Sequence, residues 1–206
     1  RSYSVTGVQT CALPISNRES SQHMSFRYEV RLSGEGGQGL VLAGKILAEA
    51  AAIYDNLNAT QSQSYGPEAR GGASRSEVIL SDEDIDYPKA VHIDLLLALT
   101  QESCDRYYKD LKENGILLVD QDAVLTVPSG PYRVFKVPII QIARDRVGRA
   151  LVANIVALGM IAGIANIVSE KAVRAAIEAR VPKGTEELNL KAFETGLEQA
   201  KMMMSH

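Results

Sequence analysis

The stretch Gly34–Ile46 reads GEGGQGLVLAGKI and fits two phosphate-binding patterns at once. Gly34, Gly36 and Gly39 form a GxGxxG, while Gly39 with Gly44-Lys45 frames a near P-loop. The P-loop reading fails on chemistry. That motif needs a hydroxyl after the lysine to hold magnesium, and Ile46 stands there. Leu40–Ala43 are helix formers on an apolar face rather than a loop able to curl its amides around phosphate. Lys45 then lies about 9 Å along a helix and reads as a solvated lysine near Glu49. The GxGxxG reading is stronger, because its glycines sit where the strand-like FRYEVRLS hands over to a helix running to Tyr54. Amides at such a helix start carry partial positive charge. A dinucleotide fingerprint also wants an acid at the end of the second strand. Asp55 has the sequence distance but precedes that strand, which leaves a βα turn whose glycines serve close packing or contact an anion.

Outward from this stretch, a short polar strand is expected at Ala59–Gln63, followed by the loop SYGPEARGGA and a β-rich SRSEVILS ending at Asp82. IDLLLALT and GILLVD are continuous apolar runs of the kind covered on both faces. Between them ESCDRYYKDLKENG predicts a surface helix closed by Asn114-Gly115. YRVFKVP alternates and stops at Pro138. Beyond it lie three helical segments: Ala150–Val168, SEKAVRAAIEARVP with Ser169 as N-cap and Pro182 as stop, and Asn189–Met203 with Leu190, Phe193, Leu197 and Ala200 on one face. Strands separated by helices predict an α/β fold: a Rossmann-like, mostly parallel sheet with helices on both faces and a C-terminal helical extension.

The bulk composition narrows the function classes. A chain of 206 residues with 46% hydrophobic residues makes one well-buried domain. A net charge of -3 offers no general attraction to nucleic acid or anionic membrane. Cys11 and Cys104 alone build neither a disulfide framework nor an iron–sulfur site, and they fit a reducing, cytoplasmic setting. The run ALVANIVALGMIAGIANIV is nearly of membrane-spanning length, with Gly159 and Gly163 spaced as GxxxG. Asn154, Asn166 and the charged flanks favour instead a helix buried against its own sheet or a partner subunit. Residues 1–23 are polar and aperiodic, and SVTGVQTCALPIS resembles a translated adapter read. They are expected to be non-native or disordered, with residues 24–206 as the single domain.

The loop SYGPEARGGASRSE gathers Arg70, Arg75 and Glu68 directly after a predicted strand. Its guanidinium groups suit carboxylate or phosphate recognition, or an internal Arg–Glu pair that shapes the turn. No catalytic constellation emerges: the three histidines are scattered, His92 reads as a loop residue and Cys104 as a packing residue.

Taken in order, GEGGQGLVLAGKILAEAA, SYGPEARGGASRSEVILSD, DLLLALTQES and GILLVD closely resemble the gamma subunit of 2-oxoacid:ferredoxin oxidoreductases, the pyruvate/ketoisovalerate oxidoreductase gamma domain family. The resemblance runs from Phe26 to the end and weakens beyond Pro138. It implies a complex that decarboxylates a 2-oxoacid on thiamine diphosphate with Mg2+, passes electrons through [4Fe–4S] clusters to ferredoxin, and releases acyl-CoA. This chain, with no cysteine set and no GDG-type thiamine motif, is then a non-catalytic member that binds none of those groups alone. Its partners would be alpha, beta and a ferredoxin-like delta subunit. The residues expected in a crevice near CoA or the subunit junction are Gly34, Gly36, Gly37, Gln38, Gly39, Tyr65 and Arg70. The loop SYGPEARGG is more similar to 2-oxoglutarate and branched-chain members than to pyruvate members, which favours 2-oxoglutarate. The competing reading is a stand-alone nucleotide-binding α/β protein using the Gly34–Gly39 turn.

Overall fold

A computed structural model describes residues 26–65 and 73–205. Arg27–Glu35 forms β1, Asn58–Tyr65 β2, Ala73–Ser81 β3, Ile93–Ala98 β4, Leu111–Asp120 β5 and Arg133–Val137 β6. They make one sheet in the order β2-β3-β1-β4-β5-β6. β1, β4, β5 and β6 run parallel, whereas β3 lies antiparallel to both β1 and β2. The expected mostly parallel α/β sheet is therefore present, with one reversed strand. β3 lies between β1 and β2, so the strands that precede the two glycine-rich stretches are not neighbours. The two strands nonetheless end on the same edge of the sheet, since Glu35 pairs with Ala73 and Tyr65 with Ser74 at the start of β3.

The helices are α1 (Leu40–Glu49), α2 (Gln101–Tyr107), α3 (Ile139–Ile142), α4 (Ala153–Ala165), α5 (Glu170–Arg180) and α6 (Glu186–Met204). α1 continues as a π-helical turn, Ala50–Tyr54. One sheet face, with Val30, Leu32, Val78, Leu80, Leu95 and Leu97, packs against α1 and the C-terminal helices. The opposite face, with Ile79, Leu96, Ala98, Leu117 and Val119, packs against Cys104 and Tyr107 of α2. β4 and β5 are thus buried on both sides, which is why their sequences read as unbroken apolar runs.

β1 alternates for a different reason. Val30 and Leu32 enter the larger core while Arg31 is buried on the other face. Arg31 Nε donates to Glu77 Oε1 at 2.7 Å, its Nη1 donates to Asp110, and its guanidinium lies 4.8 Å from the centre of the Tyr107 ring. A buried cation persists only with such compensation.

The surface helix expected up to Asn114-Gly115 ends instead at Tyr107. Asn114 and Gly115 lie inside β5, where the register against β4 shifts between Ile93 and Leu95. Asn114 takes a positive φ of 62° there and its amide donates to Pro131 O at 2.6 Å. The Asn-Gly pair marks a strand irregularity rather than a helix stop, a use that the same residue types also serve.

α4 is buried nearly all round, by its own chain. A Cβ added at Gly159 would land on Phe193 O, one at Gly196 on Val156 O, and one at Gly163 would sit 2.6 Å from Ala200 Cβ. The GxxxG spacing is consumed by close approach of α4 to α6 within the molecule, not by a partner subunit. No helix among the described residues is long and apolar enough to cross a membrane. Ser169 caps α5 as expected, its Oγ accepting from Ala172 N at 3.1 Å.

Candidate functional site at the carboxyl edge of the sheet

The chain leaves β1 through α1 toward β2, and after returning along β3 it resumes on the other side of β1 with β4, whose helix α2 covers the opposite face. The carboxyl ends of β1 and β4 therefore diverge, which is where open α/β sheets form a crevice. The glycine stretch occupies that place. Gln38 N donates to Glu35 O at 3.2 Å, closing a tight turn in which Gly37 has φ +96°. Gln38 folds back so that its Oε1 accepts from Glu35 N at 2.8 Å.

The expected site residues divide by what surrounds them. Gly34 and Gly39 are packing glycines. A Cβ at Gly34 would lie 3.2 Å from Leu99 Cβ, and one at Gly39 would lie 2.5 Å from Asn154 Nδ2. Gly39 also has φ +73°, and its carbonyl accepts from Ala43 N at 3.1 Å and Asn154 Nδ2 at 2.9 Å. Gly37 meets nothing within 4 Å and, with Gln38, lines a cavity of about 280 Å3 completed by Leu99, Ile140, Ala150, Leu151 and Ala153. Gly36 lies in the same turn. Tyr65 ends β2 on the same edge of the sheet, but its side chain, like the whole of Arg70, lies outside the described residues, as do Glu68 and residues 1–23.

A second cavity of about 250 Å3 lies beside the first, lined by Gly39, Leu42, Arg149, Asn154, Pro182 and Leu188 among others. Leu151 borders both cavities and is 72% exposed. Leu125, in the loop after β5 on the same edge, is 80% exposed. The sequence reading missed Leu99, Ile140 and Leu151 because they come from three distant segments. One signal was available: Asn154 interrupts an otherwise apolar run, and it reaches back 115 residues to Gly39.

Asp55, the acid at ribose-binding distance in sequence, is engaged elsewhere. It accepts from Ser169 N at 2.5 Å and Ser169 Oγ at 2.6 Å, tying the end of the first helical segment to the start of α5. Glu49 pairs with Arg180 at 2.7 Å rather than with the exposed Lys45. The dinucleotide reading thereby loses its acid and the P-loop reading keeps a lysine on a solvated helix face.

The residues lining the cavities are mostly apolar, with Gln38, Asn154, Thr185, Asn189 and the guanidinium-bearing Arg149 as the polar ones. Cys104 is buried in the second core, and burial pushes its thiol up to about 11, the direction that keeps it protonated and inert. Among the described residues no group of three or more His, Cys, Asp or Glu could hold a metal ion. An iron–sulfur cluster takes several thiolates, and among the described residues Cys104 is the one cysteine and is buried.

The pattern of the family described as Pyruvate ferredoxin/flavodoxin oxidoreductase matches residues 29–199, and the chain belongs to that family. It is 51% identical over 184 residues to the 2-oxoglutarate synthase subunit KorC of Methanocaldococcus jannaschii, covering 88% of this chain and 98% of the relative. Against the KorC of Methanothermobacter thermautotrophicus the identity is 47% over 181 residues, covering 85% and 96%. Among solved structures, the gamma subunit of a keto/oxoacid ferredoxin oxidoreductase from Geobacter sulfurreducens superposes with a TM-score of 0.77 at 55% identity, covering 85% of this chain and 99% of that one. The chain is a gamma-type subunit of an oxoacid:ferredoxin oxidoreductase, as its glycine and SYGPEARGG motifs led us to expect, and the stand-alone nucleotide-binding reading is not favoured.

Proposed function

We propose that residues 24–206 act in the cytoplasm as the non-catalytic gamma subunit of a complex that converts 2-oxoglutarate, CoA and oxidised ferredoxin to succinyl-CoA, CO2 and reduced ferredoxin. Thiamine diphosphate, Mg2+ and the [4Fe–4S] clusters are held by its alpha, beta and delta partners. The choice of 2-oxoglutarate draws support from the relatives named for that substrate, which align with this chain over nearly their whole length. The role of the carboxyl edge rests chiefly on Leu151. A leucine 72% exposed between two apolar cavities is costly in water and useful under a partner. In this reading Gly36, Gly37, Gln38, Tyr65 and Arg70 face the junction with CoA or the neighbouring subunit, while Gly34 and Gly39 hold the turn in shape.

The test is to co-express the partner subunits with a Leu151→Asp chain. Full burial of a leucine is worth about 1.5–3 kcal/mol, so its replacement by a charge should weaken capture of the partners by tenfold or more. Unchanged capture would remove the carboxyl edge from the interface. In the assembled complex Arg70→Ala should raise the KM for CoA or weaken assembly, and unchanged kinetics with unchanged stoichiometry would remove Arg70 from the site.

A further inference from the structure

β5 ends on a side chain that breaks the run before it. Leu117, Leu118 and Val119 are fully buried and apolar, and the next residue, Asp120, is a carboxylate only 1% exposed. Its two oxygens serve two different segments of the carboxyl edge. Oδ1 accepts from Asp122 N at 3.1 Å and Ala123 N at 3.0 Å, closing the turn that leads to the exposed Leu125. Oδ2 accepts from Ile140 N at 2.9 Å, in the first turn of α3. A buried carboxylate needs such donors to offset the loss of water. α3 needs the acceptor in turn: it has four residues, too few to hold a helix alone, and Pro138 before it gives no side-chain cap. Ile140 is also a wall of the cavity that holds Gly37, Gln38 and Leu151.

We propose that Asp120 is a positioning residue of the carboxyl edge, its carboxylate fixing where Ile140 stands against Gly37, Gln38 and Leu151 and thereby the shape offered to a neighbouring subunit. This role rests on the reading of that edge as an interface and adds to it a residue buried beneath the surface. Asp120→Asn isolates the part played by the second oxygen, because the two side chains have nearly the same shape and an amide keeps one acceptor and gains two N–H donors. The remaining oxygen makes more hydrogen bonds on the Asp122 and Ala123 amides than on Ile140. Kept there, it leaves the NH2 group against Ile140 N–H, donor facing donor. The turn stays closed and the start of α3 is released.

The experiment co-expresses the partner subunits with Asp120→Asn, with Ile140→Ala and with both, and reads partner capture together with hydrogen exchange of the full chain. Asp120→Asn should speed exchange of the Ile140 amide by about tenfold, the loss of one such bond, while the amides of Leu96 and Leu117 exchange as before. Capture should weaken by about as much. Ile140→Ala trims the wall and keeps its amide on Asp120, so it should weaken capture by itself. Adding Asp120→Asn to Ile140→Ala should then weaken capture far less than Asp120→Asn does alone. Fully additive losses would mean that Asp120 acts only through overall stability, and would overturn the proposal. Capture by Asp120→Asn equal to that of the unaltered chain, with Leu151→Asp still weakening it, would overturn the proposal and leave the interface standing. Capture unaffected by Leu151→Asp and Asp120→Asn alike would remove the interface and this role with it. Should Asp120→Asn not fold, Ile140→Ala decides: weakened capture supports the role, and unchanged capture overturns it.

Discussion

Gly39 carries two constraints that no other residue type satisfies. Its φ of +73° costs a side-chain-bearing residue about 1–2 kcal/mol, and a Cβ would displace Asn154, whose hydrogen bond to Gly39 O is worth about 1 kcal/mol. Gly39→Ala should therefore lower stability by about 2–3 kcal/mol in urea unfolding, and adding Asn154→Ala should cost less than its separate effect because the contact is already lost. Gly37, with a positive φ but open space around it, should show only the backbone part of that cost. Cys104 gives a pH prediction. Its folded-state value of about 11 lies above the ordinary 9.0, so the thiol has no differential effect below about pH 9, and stability should fall as pH rises from there to about 11. Cys104→Ala should make that limb shallower between about pH 9 and 10, whereas above it Tyr28 and Tyr132, both also pushed upward by burial, still contribute to the fall, and iodoacetamide should label the native thiol far more slowly than the unfolded one.

At the scale of elements, α4 and α6 stand so close that Gly159 and Gly196 meet backbone carbonyls. Gly196→Ala forces the helices apart in a core with no slack, and a loss of about 1–3 kcal/mol, measurable by chemical denaturation, is expected. An unchanged midpoint would mean that the helix pair has room for a methyl group at this contact. The sequence made this helix visible through its apolar run but not the identity of its neighbour, because GxxxG spacing serves a membrane dimer, a subunit contact and an internal helix pair equally well. The strands of the core were legible for a related reason: IDLLLA and GILLVD can satisfy no environment except burial on both faces. Asn114-Gly115 was misread as a helix stop because a left-handed asparagine closes helices and kinks strands alike, and only pairing with β4 distinguishes the two. Asp55 shows the same limit. Its distance in sequence suited a ribose, but Ser169, 114 residues away, takes both carboxylate oxygens.

At the scale of the whole molecule, the site is a surface assembled from the ends of β1 and β4 together with the residues leading into α4. Its glycine turn was readable in advance, since a local motif carries its own geometry. The apolar wall made by Leu99, Ile140 and Leu151 was not, because those residues are ordinary leucines and isoleucines until the fold brings them to one edge. In the proposed reading they receive a neighbouring subunit, and Cys104, the one cysteine among the described residues, is buried in the core. In that reading, the chain organises chemistry performed on its partner subunits. The most direct test is ferredoxin reduction in the presence of CoA, comparing this chain purified alone with the complex it captures from co-expressed partners. The account predicts turnover by the complex, with 2-oxoglutarate preferred over pyruvate, and none by the isolated chain. Oxoacid-dependent reduction by the isolated chain would contradict it.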